Sequence, residues 1–230
     1  MNLKSFSYKY LINIPHKFIN HAEYWKNEAA DIHVVKCQFN IQEYSSATHN
    51  YLQVHFPPEL SLAVKKRQAE FLAGRFCAKA CMQSLDPALG DTVVPIGKNR
   101  APSWPLTVIG SIAHSGTEAI CAIRKSSTSV CLGIDIESVL SEADALQIGP
   151  QIHSNQELDI LCRQNIKFNV ASTLIFSAKE SLFKALHPTV GGYFGFEEAF
   201  ITNINNMDRY LTIRLDASFA STHNLINNYR

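Results

Sequence analysis

The sequence predicts an α+β fold, and three observations lead to it. Hydrophobic residues make up 46% of the 230 residues and charged residues 18%, which supplies a core and excludes a disordered chain. Runs with strand alternation and runs with helical spacing are mixed along the chain, without the strict strand–helix–strand rhythm of a parallel sheet. No glycine-rich loop of the Rossmann or Walker kind is present, which counts against the doubly wound nucleotide-binding folds.

Residues 1–56 mix aromatic and polar side chains. Within them Ile32–Phe39 (IHVVKCQF) and Tyr51–Phe56 (YLQVHF) read as strands, the second by its alternation. Pro57-Pro58 punctuates. Leu62, Ala69, Leu72, Phe76, Ala80 and Met82 then recur at roughly helical spacing, predicting a helix from about Ser61 to Leu85, ended by Pro87 and Gly90. Residues 95–105 (PIGKNRAPSWP) hold three prolines and a glycine and predict an ordered loop. Thr107–Ile112, Ala119–Arg124 and Val130–Glu137 (VCLGIDIE) read as strands. A polar helical region extends to about Gln164, and a helix over Val170–His187 closes at Pro188. Gly191, Gly192 and Gly195 mark a loop, and alternating strands lie near Glu198–Ile204 and Tyr210–Asp216.

The polar turn Lys125–Ser129 is the natural boundary between two halves, 1–127 and 128–230. The first half holds 14 Lys+Arg and 9 Asp+Glu, a net of +5; the second holds 7 and 11, a net of −4. One half is suited to phosphate and the other to a cation, against the plain alternative of chance variation. The whole chain nets +1, which gives no global attraction for nucleic acid or an anionic membrane. The N-terminus lacks a signal-peptide core, and no apolar run approaches the ~20 residues of a membrane span. The expected location is therefore cytoplasmic. Cys37, Cys77, Cys81, Cys121, Cys131 and Cys162 include no CxxC pair, and most sit in apolar runs, so they read as small core residues in a reducing compartment.

Four segments carry chemistry. In Leu132-Gly133-Ile134-Asp135-Ile136-Glu137, strand alternation puts the three apolar side chains on one face and Asp135 and Glu137 on the other. Like charges so close favour a cation, and an oxygen-only pair suits Mg²⁺, which takes one or two carboxylates plus substrate phosphates. The plain alternative is a solvated acidic face. In Phe176–Leu186 (FSAKESLFKAL), Glu180 and Lys184 are helical neighbours: either a surface ion pair, or a third metal ligand with Lys179 and Lys184 meeting phosphate. In Lys65–Arg75 (KKRQAEFLAGR), Arg67 and Arg75 lie about 80° apart around a helix and can reach one anion, unless they form a solvated basic face partly paired with Glu70. Gly74 inside that helix suggests the close approach of a backbone or ligand. Finally the basic loop with Arg100 leads into Gly110–Ser115 (GSIAHS), where His114 is placed to hydrogen-bond a phosphate or to serve structure alone.

The order RQAEFLAGR, R-AP-WP, GSIAHS, GIDIE and FSAKES–FK closely resembles the 4'-phosphopantetheinyl transferases, most of all the type associated with enterobactin synthetase. The likeness runs from about Phe56 to Ala199. It implies that the 4'-phosphopantetheine of coenzyme A is moved to a serine of an apo acyl, peptidyl or aryl carrier protein, releasing 3',5'-ADP. It implies Mg²⁺ on Asp135, Glu137 and Glu180, with the CoA pyrophosphate completing the shell. Arg67, Arg75, Arg100 and His114 are then the contacts to the CoA 3'-phosphate and adenylate, and Lys179 and Lys184 those to the pyrophosphate. Glu180 is the expected base for the serine, with Lys179 a second candidate. The family's fold implies two similar α+β halves related by a pseudo-two-fold, the active site in the cleft between them, and a monomer. The segment Val139–Thr173 is the expected carrier-docking surface, through Arg163, Lys167, Leu158, Leu161 and Phe168. The alternatives are a Mg²⁺-dependent phosphodiesterase or nucleotide hydrolase, or a non-catalytic CoA-binding protein.

Overall fold

The computed structural model describes residues 6–14, 16–127 and 130–230, and its contacts gather into two units, one ending at Ile136 and the other beginning at Glu137. In the first unit the strands β1 (Phe6–Leu11), β2 (Ile19–Asn27), β3 (Ile32–Phe39), β4 (Val108–Ser115) and β5 (Glu118–Lys125) form one antiparallel sheet in the order β1-β2-β3-β5-β4. Strand β3 has the bounds read from its Ile and Val content. It is central and nearly all buried, so it is apolar on both faces rather than alternating. The β4–β5 hairpin turns at Gly116, where φ is 58°.

After the short helix α1 (Ala47–Tyr51), helix α2 (Lys65–Leu85) packs on β3 and β5. Its Leu72, Phe76, Cys77 and Met82 join Phe18, Val35, Phe39 and Ile123 in the core. Each large apolar side chain buried there contributes about 1.5–3 kcal/mol. Gly74 marks a close approach, as its place in mid-helix suggested: a Cβ there would lie 2.8 Å from Ile112 Cγ2 of β4. Cys37, Cys77, Cys81 and Cys121 are buried in this core, as expected, whereas Cys131 is exposed.

Several expectations need correction. Helix α2 starts at Lys65 rather than Ser61, because Pro58–Leu60 forms a 3₁₀ turn and Val64 is extended; Leu62, counted on the helix's apolar face, is 96% exposed. Tyr51–Phe56 is not a strand. Tyr51 ends α1, Gln53 has φ 51°, and the Val54 N–H returns to the His49 carbonyl at 2.9 Å. Leu52 and Val54 are both buried as alternation requires, but in a turn.

Val130–Glu137 joins no ladder either. Leu132 and Ile134 pack against Ala30, Ile32, Val34 and Ala122, and the Ile134 N–H donates to Ser111 Oγ at 3.1 Å. These contacts tie the segment to the first unit. The units therefore divide after Ile136 rather than between 127 and 128. Thr128 and Ser129 of the turn expected to separate them lie outside the described residues.

The second unit holds α3 (Glu142–Ile152), α4 (Asn155–Cys162), α5 (Phe168–Val190), β6 (Ala199–Asn205), β7 (Tyr210–Leu215), α6 (Ala217–Thr222) and β8 (Asn228–Tyr229), with an antiparallel sheet ordered β6-β7-β8. Ser154 and Glu157 form a reciprocal capping box that starts α4. Helix α5 runs past Pro188, whose missing N–H falls in its last turn. It ends at Gly191, which adopts φ 73° and donates to the His187 carbonyl at 2.8 Å. Leu161, Ile175, Leu186, Ile201 and Leu215 form the core, with α3 and α4 against α5 and α4 against β6. Each unit thus combines helices with an antiparallel sheet, the expected α+β class. Among the described residues no helix is long and apolar enough to cross a membrane.

Candidate active site

In the first unit, the first turn of α2 and the end of β4 bring two expected residues together. Arg67 Nη1 donates to His114 Nε2 at 3.0 Å. Arginine has no acceptor, so a neutral His114 carries its proton on Nδ1. That nitrogen faces Glu70, whose carboxylate lies 3.8 Å from both Nδ1 and Arg67 Nη1. Arg67 is 44% and His114 32% exposed, against 12% for Glu70, so the two donors face outward over a recessed carboxylate. An anion arriving there meets a guanidinium and an imidazole, the two polar side chains that lie outermost over Glu70.

Arg75, expected beside Arg67 on the same anion, is engaged elsewhere. Its Nε donates to the Val94 carbonyl at 2.7 Å and its Nη2 to the Pro95 carbonyl at 3.3 Å, with the guanidinium over the Phe71 ring. Burial pulls it down to about 10, still a cation at neutral pH. It anchors the base of the loop that carries Arg100. That loop is a tight hairpin: Ile96 pairs with Pro102, the Ala101 N–H donates to the Lys98 carbonyl at 3.1 Å, and Asn99 and Arg100 have φ 55° and 63°. Positive φ at both central positions is the pattern of a type I′ turn, which favours glycine or asparagine at the place Arg100 occupies. Exposed Arg100 is held in a sparsely populated conformation at the tip. Trp104 packs the loop onto β4, since a Cβ at Gly110 would lie 2.7 Å from its ring.

Asp135 is half-buried at the end of the first unit, and Glu137, opening the second, is exposed. Their all-oxygen chemistry suits a hard cation that keeps water and takes further oxygens from a phosphate. Among the described residues no three His, Cys, Asp or Glu side chains are gathered into a group that holds a metal.

In the second unit, α5 carries Lys179, Glu180 and Lys184. Lys179 and Glu180 line a cavity of about 160 Å³ with Phe183, Tyr193, Phe194 and Phe196, and Glu180 and Lys184 are both half-buried. Lys179 departs from expectation. It is 3% exposed, and its ammonium donates to Glu157 Oε1 at 2.8 Å, the Ile152 carbonyl at 2.9 Å and the Phe196 carbonyl at 3.1 Å. Those three bonds match its three hydrogens, so in this structure its donors are all engaged within the unit, although its side chain borders the cavity. Burial pulls its ammonium below the ordinary lysine value, and Glu157 opposes that shift. The reason for its burial is helical phase: Ile175, Lys179, Leu182 and Leu186 form the inward stripe of α5.

One acidic residue, Glu157, was missed from sequence, and Glu70, read there as a partner of the basic face of α2, lies near Lys66 and Arg67 as that reading had it but also near His114. Glu157 was readable as the last member of Ser154-Asn155-Gln156-Glu157, a capping-box spacing; nothing in the sequence pairs Glu70 with His114. Of the expected docking residues, Arg163 and Lys167 are exposed and Phe168 is half-buried, but Leu161 is fully buried core and is not available to a partner.

Comparison with known proteins identifies the family. Residues 56–124 match the 4'-phosphopantetheinyl transferase N-terminal domain, and residues 131–230 match the 4'-phosphopantetheinyl transferase superfamily. The chain is 35% identical over 174 residues to enterobactin synthase component D of Salmonella typhi, covering 75% of this chain and 70% of that protein. It is 39% identical over 128 residues to the protein of the same name from Escherichia coli strain K12, covering 55% and 58%. It is 31% identical over 149 residues to 4'-phosphopantetheinyl transferase Npt of Nocardia iowensis, 62% of each chain. Together with the motifs on α2, β4 and α5, these matches establish that the chain belongs to the 4'-phosphopantetheinyl transferases.

Proposed function

We propose that the chain transfers the 4'-phosphopantetheine of coenzyme A to a serine of an apo carrier protein of siderophore assembly, releasing 3',5'-ADP, with Glu180 as the base. The observation that carries this reading is Glu180 itself, a carboxylate on α5 at the wall of an aromatic cavity within the matched superfamily region. A carboxylate with aromatic neighbours and limited water is suited to take the proton of a hydroxyl. Lys184, one turn further along the helix, meets the pyrophosphate.

Arg67, Arg100 and His114 meet the 3'-phosphate, and Arg75 acts by holding the loop that presents Arg100. Asp135, Glu137 and Glu180 are the residues that would hold Mg²⁺. When bound, the ion would neutralise charge on the pyrophosphate leaving group. The siderophore assignment comes from the names of the Salmonella and Escherichia relatives. A polyketide or fatty-acid carrier is the competing acceptor. The reading keeps the cytoplasmic location and the monomer expected from the sequence.

Incubation with CoA, Mg²⁺ and apo carriers of each class, followed by mass measurement, tests it. Transfer makes the siderophore carrier heavier by one phosphopantetheine. Free phosphopantetheine would instead mark a hydrolase, and unchanged masses with retained CoA binding a non-catalytic protein.

A further inference from the structure

The buried Lys179–Glu157 pair is costly to build. Taking an ammonium and a carboxylate out of water is repaid only when geometry and hydrogen bonding are complete, and apolar residues of similar size often serve stability as well. Here the bonding is complete. Lys179 donates to Glu157 on α4, to the Ile152 carbonyl at the end of α3 and to the Phe196 carbonyl ahead of β6. Glu157 in turn accepts from the Ile201 N–H of β6 at 2.9 Å, the Ser154 N–H at 2.9 Å and Ser154 Oγ at 3.1 Å.

Apolar contacts are non-directional and leave a helix free to adjust about its axis. Charge-assisted hydrogen bonds to three separate segments fix both rotation and height. The next residue after Lys179 is Glu180, about 100° further around the helix. Phe196, whose carbonyl Lys179 holds, also walls the cavity that Glu180 lines. One ammonium therefore fixes the helix that carries the carboxylate and the loop opposite it.

We propose that the Lys179–Glu157 pair positions the Glu180 carboxylate in its cavity, and that Lys179 and Glu157 serve transfer through Glu180 rather than by touching substrate. This rests on the reading of Glu180 as the base. A displacement of about 1 Å at a reacting group is enough to slow a reaction about a hundredfold.

The test uses the full-length enzyme in four forms: Lys179→Met, the charge-free double variant Glu157→Gln/Lys179→Met, Glu180→Gln, and Glu180→Gln/Lys179→Met. Lys179→Met should lower kcat about a hundredfold, while CoA affinity measured by calorimetry in EDTA stays within twofold of wild type. The charge-free double variant should recover the melting temperature that the single variant loses, yet keep its low kcat, which separates positioning from folding. In the Glu180→Gln background, adding Lys179→Met should cost no further turnover, since a residue acting through Glu180 has nothing left to position.

Tenfold weaker CoA binding in EDTA would show direct contact with the pyrophosphate and overturn the proposal. So would wild-type kcat in the folded double variant, or a full hundredfold additional loss in the Glu180→Gln background. Near-native turnover of Glu180→Gln alone is a different failure: it removes the reading of Glu180 as base, on which the proposal stands.

Discussion

Arg75 in the first unit and Lys179 in the second are both cations that donate to backbone carbonyls, yet they are held differently. Arg75 keeps a half-buried ledge position with two carbonyls and an aromatic face. Lys179 is enclosed and has a carboxylate opposite it. The guanidinium is weakly hydrated and spreads its charge over five donors, so it tolerates partial burial without a counterion. The compact ammonium does not, and the second unit supplies Glu157. The difference teaches that a cation in a family motif can be tied to backbone carbonyls of its own unit, and that the type of cation determines what such a tie needs.

The comparison separates residues that meet substrate from residues that hold them, and the largest expected effect belongs to the former. Asp135→Ala and Glu180→Ala should each lower carrier modification about a thousandfold, the scale of losing a group that stabilises transition-state charge. Their melting temperatures should stay near wild type, because each side chain is only half-buried and belongs to no apolar core. A large drop in melting temperature would move either residue into the holding class.

Between the two anchors, Lys179→Met should destabilise by about 3–5 kcal/mol, since it leaves Glu157 buried and uncompensated. Arg75→Ala should lose only about 1–3 kcal/mol, the range for carbonyls left without a donor. Equal losses in thermal or urea unfolding would erase the distinction drawn above. Next in size, Arg67→Ala, Arg100→Ala and His114→Ala should shrink the preference for CoA over dephospho-CoA by about 1.5–3 kcal/mol each. Arg75→Ala should shrink it less. An unchanged ratio of kcat/KM values in all four would place the 3'-phosphate elsewhere.

The units also differ in acid sensitivity. His33 and His49 of the first and His153 of the second are held below the usual histidine value by burial. The unfolded chain, with values near 6.5, takes up these protons first. Stability is therefore full above about pH 6.5 and declines as pH falls below it. With two such groups, the first unit should lose protection earlier on acidification, and His49→Gln should blunt that loss in unfolding curves at pH 5 against pH 7. The smallest effect should be at the carrier: charge reversal at exposed Arg163 and Lys167 should raise the KM for carrier but not for CoA, more at low salt. Equal changes for both substrates would remove this segment's charges from the docking surface.

Much of the core was legible because buried stripes leave a period in the sequence. Helix α2 was found that way, to within a few residues at its start, whereas strand β3 was found by its Ile and Val content and α5 by the proline near its end. Strands β1 and β2 were not found; Phe6, Tyr8 and Tyr10 of FSYKYL do alternate with Ser7 and Lys9, but the strand is exposed along its whole length at the sheet edge, so no buried stripe marks it. Val130–Glu137 has the right alternation, with Leu132 and Ile134 inward, but alternation reports which side chains face the core and not whether a ladder forms. At the candidate site, motif order singled out Glu180 and His114. The burial of Lys179 was legible as well, since the spacing of Ile175, Lys179, Leu182 and Leu186 places that lysine on the inward face. The partnership of Glu70 with His114 was hidden because it spans the fold rather than the helix.

Among the described residues no strand pairs with the run from Val130 to Ile136; Leu132 and Ile134 pack against Ala30, Ile32, Val34 and Ala122, and the Ile134 N–H donates to Ser111 Oγ. In deuterated water the Ile134 amide should therefore owe its protection to a side chain of the neighbouring hairpin rather than to a ladder partner. Ser111→Ala would then speed exchange at that amide, next to Asp135, without loosening the β4–β5 hairpin.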